Sequence, residues 1–402
     1  MVYARRMGTT RVSLQTTRPR SEGQRDTGGL APAPEPAAGT AAPGTRGVDA
    51  AAWPRDAGPV EKPLVDRFGR VASDLRISLI DKCNLRCTYC MPADGMAWLP
   101  KSRLLTGEEV RRLVTIGVRD LGVRELRLTG GEPLVRVDLV DIVAGLRADH
   151  PELPISLTTN AVGLAKKARP LADAGLSRIN VSLDTLHAGT FQELARRNHL
   201  QATLDGIDAA VDAGLGAPLK INTVLMRGVN DHEAADLLAW AVERGFELRF
   251  IEQMPLDADH GWRKDNMVTS AEIHERLSER FVLSADPRDR DGAPAERFQV
   301  AHRADPGRVV GTVGIIASVT EPFCSDCRRT RITAEGKVMA CLFSREETDL
   351  SELLRSGASD DDVADRWREA MWGKPRAHGM GHPGLGDDDF VQPDRSMSAI
   401  GG

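Results

Sequence analysis

The sequence predicts a parallel α/β sheet or barrel, and two observations support this fold class. Six short apolar runs alternate with segments of helical periodicity, which is typical of a parallel sheet covered by helices. Cysteine and polar side chains follow several of these runs, at the strand ends where parallel α/β barrels place their sites. A chain of 402 residues is long enough for such a barrel and further segments.

Residues 1–62 are dominated by Ala, Pro, Gly and Thr without hydrophobic periodicity, so we expect them to be disordered. After the first strand a helix is predicted, because Thr106 and Glu109 form a capping box and Val110 and Leu113 share one face. The six predicted strands are Leu75 to Ile80, Glu125 to Leu128, Ile155 to Thr158, Arg178 to Leu183, Leu219 to Leu225 and Leu248 to Ile251.

The six cysteines form two triplets, and the spacing of each indicates a metal centre. The triplets are Cys83, Cys87 and Cys90, and Cys324, Cys327 and Cys341. Thiolates select iron–sulfur clusters or zinc, and a disulfide framework does not normally crowd its cysteines into two distant groups. No histidine lies near the first triplet to complete a four-ligand zinc site. We therefore predict iron–sulfur clusters with an open coordination position, and zinc sites that borrow a remote ligand are the alternative.

A second motif follows the first triplet. The spacing C-x3-C-x2-C and, about forty residues later, the run Gly130-Gly131-Glu132-Pro133 together resemble the radical S-adenosylmethionine superfamily. That resemblance implies a 4Fe-4S cluster that binds S-adenosylmethionine and cleaves it to a 5′-deoxyadenosyl radical. The glycines permit close approach of the backbone to a ligand, and Glu132 supplies an anionic acceptor for an ammonium group.

Further motifs narrow the resemblance to one family. The runs DLRISLIDKCNLRCTYCMP, RLTGGEPLVR, LTTN, INVSLDTL, LKINTVLMRGVND, LRFIEQM and FCSDCRRTRITAEGKVMACLF, with the terminal Gly401-Gly402, resemble the GTP 3′,8-cyclase family of molybdopterin biosynthesis. The resemblance implies an incomplete six-stranded TIM-type barrel at residues 63–290. It also implies a carboxyl-terminal segment at residues 291–402 that carries a second 4Fe-4S cluster.

The resemblance implies a role for each matching residue. The two cysteine triplets would bind the clusters, and the positions matching those that hold S-adenosylmethionine are Tyr89, Gly131, Glu132, Ser182 and Met254. For GTP the matching positions are Arg76, Arg127, Thr158, Lys220, Arg329, Thr330 and Arg331, with Arg249 as a further candidate. Guanidinium groups suit phosphate oxygens. Core packing for Tyr89 and Met254, and structural ion pairs for the arginines, are the competing interpretations.

The implied reaction joins the ribose C3′ of GTP to C8 of its guanine. The second cluster would face the guanine base. Arg329 and Arg331 would secure the substrate, and Gly401 and Gly402 would reach into the site as a tail without side chains; a frayed end is the alternative. An external electron donor and a downstream cyclic pyranopterin monophosphate synthase are implied by the pathway, and a homodimer is left open.

Composition excludes several other classes. A net charge of -5 and a pI near 6.0 argue against a nucleic-acid-binding protein, and no apolar run is long enough to cross a membrane. Thiolate clusters belong in a reducing compartment, so a cytoplasmic location is expected. The rival functions are a radical S-adenosylmethionine enzyme that modifies peptides and a non-catalytic iron–sulfur or zinc protein. Two residues depart from the family pattern, Ala161 in place of glycine and Arg328 in place of asparagine.

Overall fold

The computed structural model describes residues 62–216, 218–378 and 392–400. The extension predicted to be disordered therefore lies outside the described residues apart from Lys62, and so do Gly401 and Gly402. The described residues all belong to one compact unit. The predicted division at residues 290 and 291 stays a prediction.

All six predicted strands are present and lie side by side in parallel. They are β1 (Asp74–Ser78), β2 (Glu125–Thr129), β3 (Ile155–Thr159), β4 (Arg178–Ser182), β5 (Lys220–Val224) and β6 (Glu247–Ile251). Apolar side chains such as Ile77, Leu128 and Leu157 are fully buried beneath the covering helices. The opposite face carries polar side chains, which include Arg76 and Arg127, towards the interior of the barrel.

Strands from the second half of the chain extend this sheet at both edges. They are β7 (Phe281–Ala285), β8 (Glu296–His302), β9 (Asp305–Ile316), β10 (Arg329–Ile332), β11 (Lys337–Met339) and β12 (Thr348–Asp349). The sheet order is β12-β11-β10-β1-β2-β3-β4-β5-β6-β9-β8-β7, so its two edges do not pair. Because β10 and β9 run parallel to β1 and β6, the open barrel has eight parallel strands. The predicted incomplete barrel is confirmed, with two parallel strands more than the sequence predicted.

The helices cover the outer face of the sheet, except the last one, which enters the barrel. They are α1 (Gly107–Asp120), α2 (Leu139–Asp149), α3 (Ala168–Asp173), α4 (Ala188–Ala195), α5 (Leu200–Asp212), α6 (Ala234–Glu243), α7 (Ser270–Ser278), α8 (Ser351–Ser356), α9 (Asp360–Trp372) and α10 (Met397–Ile400). The predicted capping box of Thr106 and Glu109 begins α1, and it satisfies backbone N–H groups that the helix leaves free. None of the helices described is long and apolar enough to cross a membrane.

Candidate active site

Two adjoining cavities lie in the open barrel: the first is at the carboxyl ends of β1 to β4, and the second extends through the interior to the turn that precedes β10. The first cavity contains Cys83, Cys87 and Cys90, and the second contains Cys324, Cys327 and Cys341. The residues that line both cavities are Tyr89, Thr158, Ser182, Asp184 and Met397. The fold therefore brings the two cysteine triplets, more than two hundred residues apart in sequence, to opposite sides of one shared wall.

The first triplet lies on the loop after β1 and consists of free thiols that interact electrostatically with one another. Burial raises the pKa of Cys83 to about 11 and the pKa of Cys90 to about 12, so a cationic metal centre is needed to hold the thiolates at neutral pH. Three thiols without a fourth protein ligand beside them among the described residues suit an iron–sulfur cluster, in which each sulfur binds a different iron.

The two glycines after β2 pack against the loop that leads to Cys83. A Cβ atom on Gly130 would lie 2.3 Å from the carbonyl oxygen of Ile80, and one on Gly131 would lie 2.3 Å from that of Asp81. Contact within the chain therefore already requires glycine at both positions. The close approach to a ligand that the sequence suggested stays a prediction.

Glu132 is 1% exposed and reaches into the first cavity. Its carboxylate accepts hydrogen bonds from Leu134 N at 2.9 Å, Thr159 Oγ1 at 2.6 Å and Asn160 N at 2.7 Å. Burial nevertheless raises the pKa of Glu132 to about 7. A cationic group beside Glu132 would hold it ionised, which is the condition that the ammonium group of S-adenosylmethionine would meet.

A buried hydrogen bond crosses the wall between the cavities. Tyr89 donates its hydroxyl proton to Asp184 Oδ2 at 2.6 Å, and Asp184 Oδ1 accepts from Val224 N at 2.9 Å. This pair ties the cysteine loop to the ends of β4 and β5. Met254 packs beside the buried Met267 and lines the second cavity but not the first, so its predicted contact with S-adenosylmethionine stays a prediction.

Three arginines lie side by side on adjacent strands that line the second cavity. The strand register aligns Arg76 of β1 with Arg331 of β10 on one side and with Arg127 of β2 on the other. Adjacent strands are about 4.8 Å apart, so this row places like charges side by side. Arg249 on β6 and Arg329 on β10 line the same cavity. All five arginines were predicted from the sequence. The pairing of β10 with β1 places Arg331, from the second half of the chain, in the row.

The residues that the structure describes offer this row too few partners. Asp74 is 3.6 Å from Arg76 and 3.7 Å from Arg329, while Arg127 and Arg331 make no ion pair with any residue that the structure describes. Buried atoms without a hydrogen-bond partner include Arg76 Nε, Arg127 Nε, Arg249 Nε, Arg329 Nε, Arg331 Nε, Thr158 Oγ1 and Asn222 Oδ1. Burial, together with Arg127, lowers the pKa of Arg76 well below its usual value. The second cavity is therefore preorganised for a multiply charged anion.

Two predicted GTP contacts lie outside the lining of the second cavity. Lys220 begins β5 and pairs with Glu247 at 3.4 Å. Thr330 accepts a hydrogen bond from Trp367 Nε1 at 2.9 Å, so its side chain faces away from its neighbours Arg329 and Arg331. The proposed roles of Lys220 and Thr330 in GTP binding stay predictions.

The second triplet has a cationic environment. Burial would raise the pKa of Cys327, but Lys374, Arg329 and Arg331 together lower it to about 7. The first triplet instead lies near acidic groups, because Cys83 interacts with Glu132 and Cys87 with Asp184. The two triplets therefore fit metal centres in opposite electrostatic surroundings.

The last described residues enter the barrel. Met397 lines both cavities, and Ser78 Oγ donates to the carbonyl oxygen of the buried Ile400 at 2.5 Å. Arg395 anchors this segment by pairing with Glu335 at 2.6 Å. Gly401 and Gly402 lie outside the described residues, so their predicted entry into the site stays a prediction.

Sequence reasoning missed three residues of the site: Asp184, Lys374 and His378. Asp184 follows the predicted Ser182 and was the easiest to find, because it is an acid at the end of a buried strand. Lys374 and His378 come from a segment whose function the sequence did not reveal. His378 lines the second cavity, and its buried Nδ1 has no hydrogen-bond partner in the described ranges of the chain. Their positions depend on tertiary packing alone.

The two departures from the family pattern have local explanations. Ala161 has a φ of 62° in the left-handed region, at a cost of about 1–2 kcal/mol for a residue with a Cβ atom. The turn after β3 thus keeps a conformation that suits glycine. Arg328 pairs with Asp291 at 2.8 Å, away from the lining of either cavity.

Comparisons with known proteins agree with this geometry. Residues 77–241 match the model of the radical SAM superfamily, and residues 246–380 match the model described as Molybdenum Cofactor Synthesis C. With an open parallel barrel and thiols after its first strand, the chain is an enzyme of the radical S-adenosylmethionine class, which uses that cofactor and iron–sulfur clusters.

Similar proteins narrow this class further. The GTP 3′,8-cyclase of Paenarthrobacter nicotinovorans is 71% identical over 344 residues, which cover 84% of this chain and 97% of the relative. The proteins of the same name from Streptomyces coelicolor and Mycolicibacterium smegmatis are 56% and 52% identical; these matches cover 84% and 86% of this chain and 96% and 93% of the relatives. The chain belongs to the GTP 3′,8-cyclase family.

Proposed function

We propose that this protein converts GTP to 3′,8-cyclo-7,8-dihydro-GTP, the first step of molybdenum cofactor biosynthesis. The strongest support is the row of Arg331, Arg76 and Arg127, whose buried Nε atoms have no hydrogen-bond partner among the described residues. A triphosphate would supply the missing acceptors. Family membership and the two cysteine triplets support the same activity.

The first cavity would hold one 4Fe-4S cluster on Cys83, Cys87 and Cys90, with S-adenosylmethionine beside it. When bound, this pair supplies a 5′-deoxyadenosyl radical that abstracts a hydrogen atom from the substrate. Glu132 would receive the ammonium group of the cofactor, and Gly131, Tyr89 and Ser182 would line its binding region.

The second cavity would hold GTP. Arg76, Arg127 and Arg331 would bind phosphate oxygens, together with Arg329 on the same strand as Arg331 and Arg249 on β6, and this would restrict the ribose to one position against the shared wall. Because Thr158 and Ser182 belong to that wall, the ribose would face the first cavity while the base would face Cys324, Cys327 and Cys341. These three cysteines would hold a second 4Fe-4S cluster.

The experiment is an anaerobic assay of the reconstituted protein with S-adenosylmethionine, a strong reductant and GTP, analysed by mass spectrometry. We expect 5′-deoxyadenosine and the cyclised nucleotide in equal amounts. Formation of 5′-deoxyadenosine that GTP does not change would overturn the proposal and favour the peptide-modifying alternative. A preparation that contains zinc and no sulfide would favour a binding protein.

The proposal extends to location and partners. Free thiols at both sites suit a reducing compartment such as the cytoplasm. An external electron donor would reduce the first cluster, and a downstream cyclic pyranopterin monophosphate synthase would consume the product.

A further inference from the structure

Lys374 is a buried lysine directly beside the second cysteine triplet. It follows α9 and is 2% exposed. Its Nζ donates to the carbonyl oxygen of Cys327 at 2.9 Å and to that of Arg329 at 2.8 Å. These bonds span the stretch of chain that carries a predicted cluster ligand into β10.

The charge of Lys374 has no carboxylate partner among the residues that the structure describes. No Asp or Glu of the residues that the structure describes forms an ion pair with it, and two carbonyl dipoles do not neutralise an ammonium group. Both carbonyl acceptors of Lys374 belong to the chain around Cys327, so a cluster on this thiolate would supply a negative charge beside the ammonium group.

Arg70 provides an internal comparison at the other end of the same turn. It donates to the carbonyl oxygen of Cys324 at 2.6 Å and to that of Pro375 at 2.6 Å. However, Arg70 also pairs with Asp66 at 2.6 Å, so its charge is balanced within the protein. Both cations fasten the cysteine turn to the segment that follows α9, and within the described part of the chain only Arg70 of the two has a carboxylate partner.

We propose that Lys374 is a positioning residue of the second iron–sulfur site, which holds the Cys327 turn and stabilises the more negative, reduced state of the bound cluster. A fixed positive charge close to a cluster favours the state that carries the extra electron. The proposal deepens the proposed function, because it requires that the second triplet hold a cluster.

The test uses the full-length chain with Cys83, Cys87 and Cys90 replaced by alanine, so that the second site gives the entire cluster signal. Iron and sulfide are counted first, and about four irons per chain are expected from one 4Fe-4S cluster. A count near zero would reject the second cluster itself. The midpoint potential is then measured by redox titration with detection by electron paramagnetic resonance, in this background and with Lys374→Gln or Lys374→Arg added.

Lys374→Gln keeps an N–H donor without the charge, and Lys374→Arg keeps the charge. We expect Lys374→Gln to make reduction about tenfold less favourable, which is a potential about 59 mV more negative for one electron, and Lys374→Arg to restore most of the difference. An unchanged potential in Lys374→Gln at full iron content would overturn the proposal. A more negative potential in Lys374→Gln that Lys374→Arg does not restore, although both variants bind iron, would also overturn the proposal.

Lys167 offers a matched control, because its Nζ also donates to two carbonyl oxygens, those of Leu134 at 2.8 Å and Arg136 at 3.2 Å. It lies on the side of the first site. Lys167→Gln should leave the potential of the second site unchanged, and an equal shift in this variant would show that the effect of Lys374 is not local.

Discussion

Replacing Arg127 with methionine should stabilise the ligand-free protein and weaken GTP binding, and these opposite signs distinguish a substrate arginine from a structural one. Arg127 lines the second cavity, has a buried Nε without a hydrogen-bond partner and lies beside Arg76 in the strand register. Methionine keeps much of the apolar stem while it removes the charge. In the absence of an anion, the unpaired donor of Arg127 and its like-charged neighbour both destabilise the folded protein.

The magnitude follows from these two costs. A buried unsatisfied polar group costs about 1–3 kcal/mol. Two unit charges about 5 Å apart repel by about 3 kcal/mol at an effective dielectric constant of about 20, and splaying of the side chains and solvent reduce this repulsion. We therefore expect the free energy of unfolding of ligand-free Arg127→Met to rise by about 1–2 kcal/mol. Loss of a charge-assisted bond worth about 1.5–3 kcal/mol should weaken GTP binding by about 10- to 150-fold.

Denaturant unfolding and calorimetric titration with GTP, both under anaerobic conditions, measure the two quantities. Arg178→Met is the control, because Arg178 makes an ion pair with Glu125 at 2.6 Å in which the two side chains are 37% and 49% exposed. Such a pair is worth about 0–1 kcal/mol, so the control should lose little stability and keep its affinity for GTP. Loss of stability in Arg127→Met with unchanged affinity would refute the reasoning and identify Arg127 as structural.

Three further predictions concern other parts of the site. Gly131→Ala should lower the free energy of unfolding by about 1–3 kcal/mol, because the added Cβ atom overpacks against the Asp81 carbonyl. Iron analysis should show that the iron content falls by about half, while the signal from the second site stays unchanged. Burial raises the pKa of Glu132 from 4.5 to about 7, so between these pH values the folded ligand-free protein binds more protons than the unfolded chain. The free energy of unfolding should therefore fall as pH rises through this window. Denaturant unfolding of Glu132→Gln should show a flatter dependence on pH. Removal of Gly401 and Gly402 should leave S-adenosylmethionine cleavage intact and abolish cyclisation, and normal product formation by the truncated chain would contradict this.

The sequence predicted the parts of the fold that depend on local pattern. Strands β1 to β6 are short apolar runs between turn signals, and the cysteine spacing is a property of the chain itself. The sequence did not predict β9 and β10 as parallel neighbours of β6 and β1. In β10 the run from Arg329 to Ile332 alternates charged and uncharged residues, and nothing local says that its arginines will face a cavity or align with Arg76.

Buried charged residues without a partner nearby in the sequence were the hardest features to predict. Lys374 and His378 become meaningful only when the segment after α9 packs against the second cysteine turn. Asp184 differs, because its position two residues after Ser182 at the end of a strand carries a readable signal. Residues that reach a site only through tertiary packing leave no pattern of spacing or periodicity in the sequence.

Strand β10 explains why the second cysteine triplet and the substrate arginines belong to one structural unit. Cys327 lies two residues before Arg329, and Lys374 bonds to the carbonyl oxygens of both. The same strand pairs with β1, so the position of Arg331 beside Arg76 depends on a turn whose thiols are suited to a cluster. A cluster on this turn would fix the arginine row before substrate binds, and an anion in the row would in turn hold β10 against β1. Cluster binding and GTP binding should therefore stabilise each other, because each supplies the negative charge that the buried cations of this strand and of Lys374 lack.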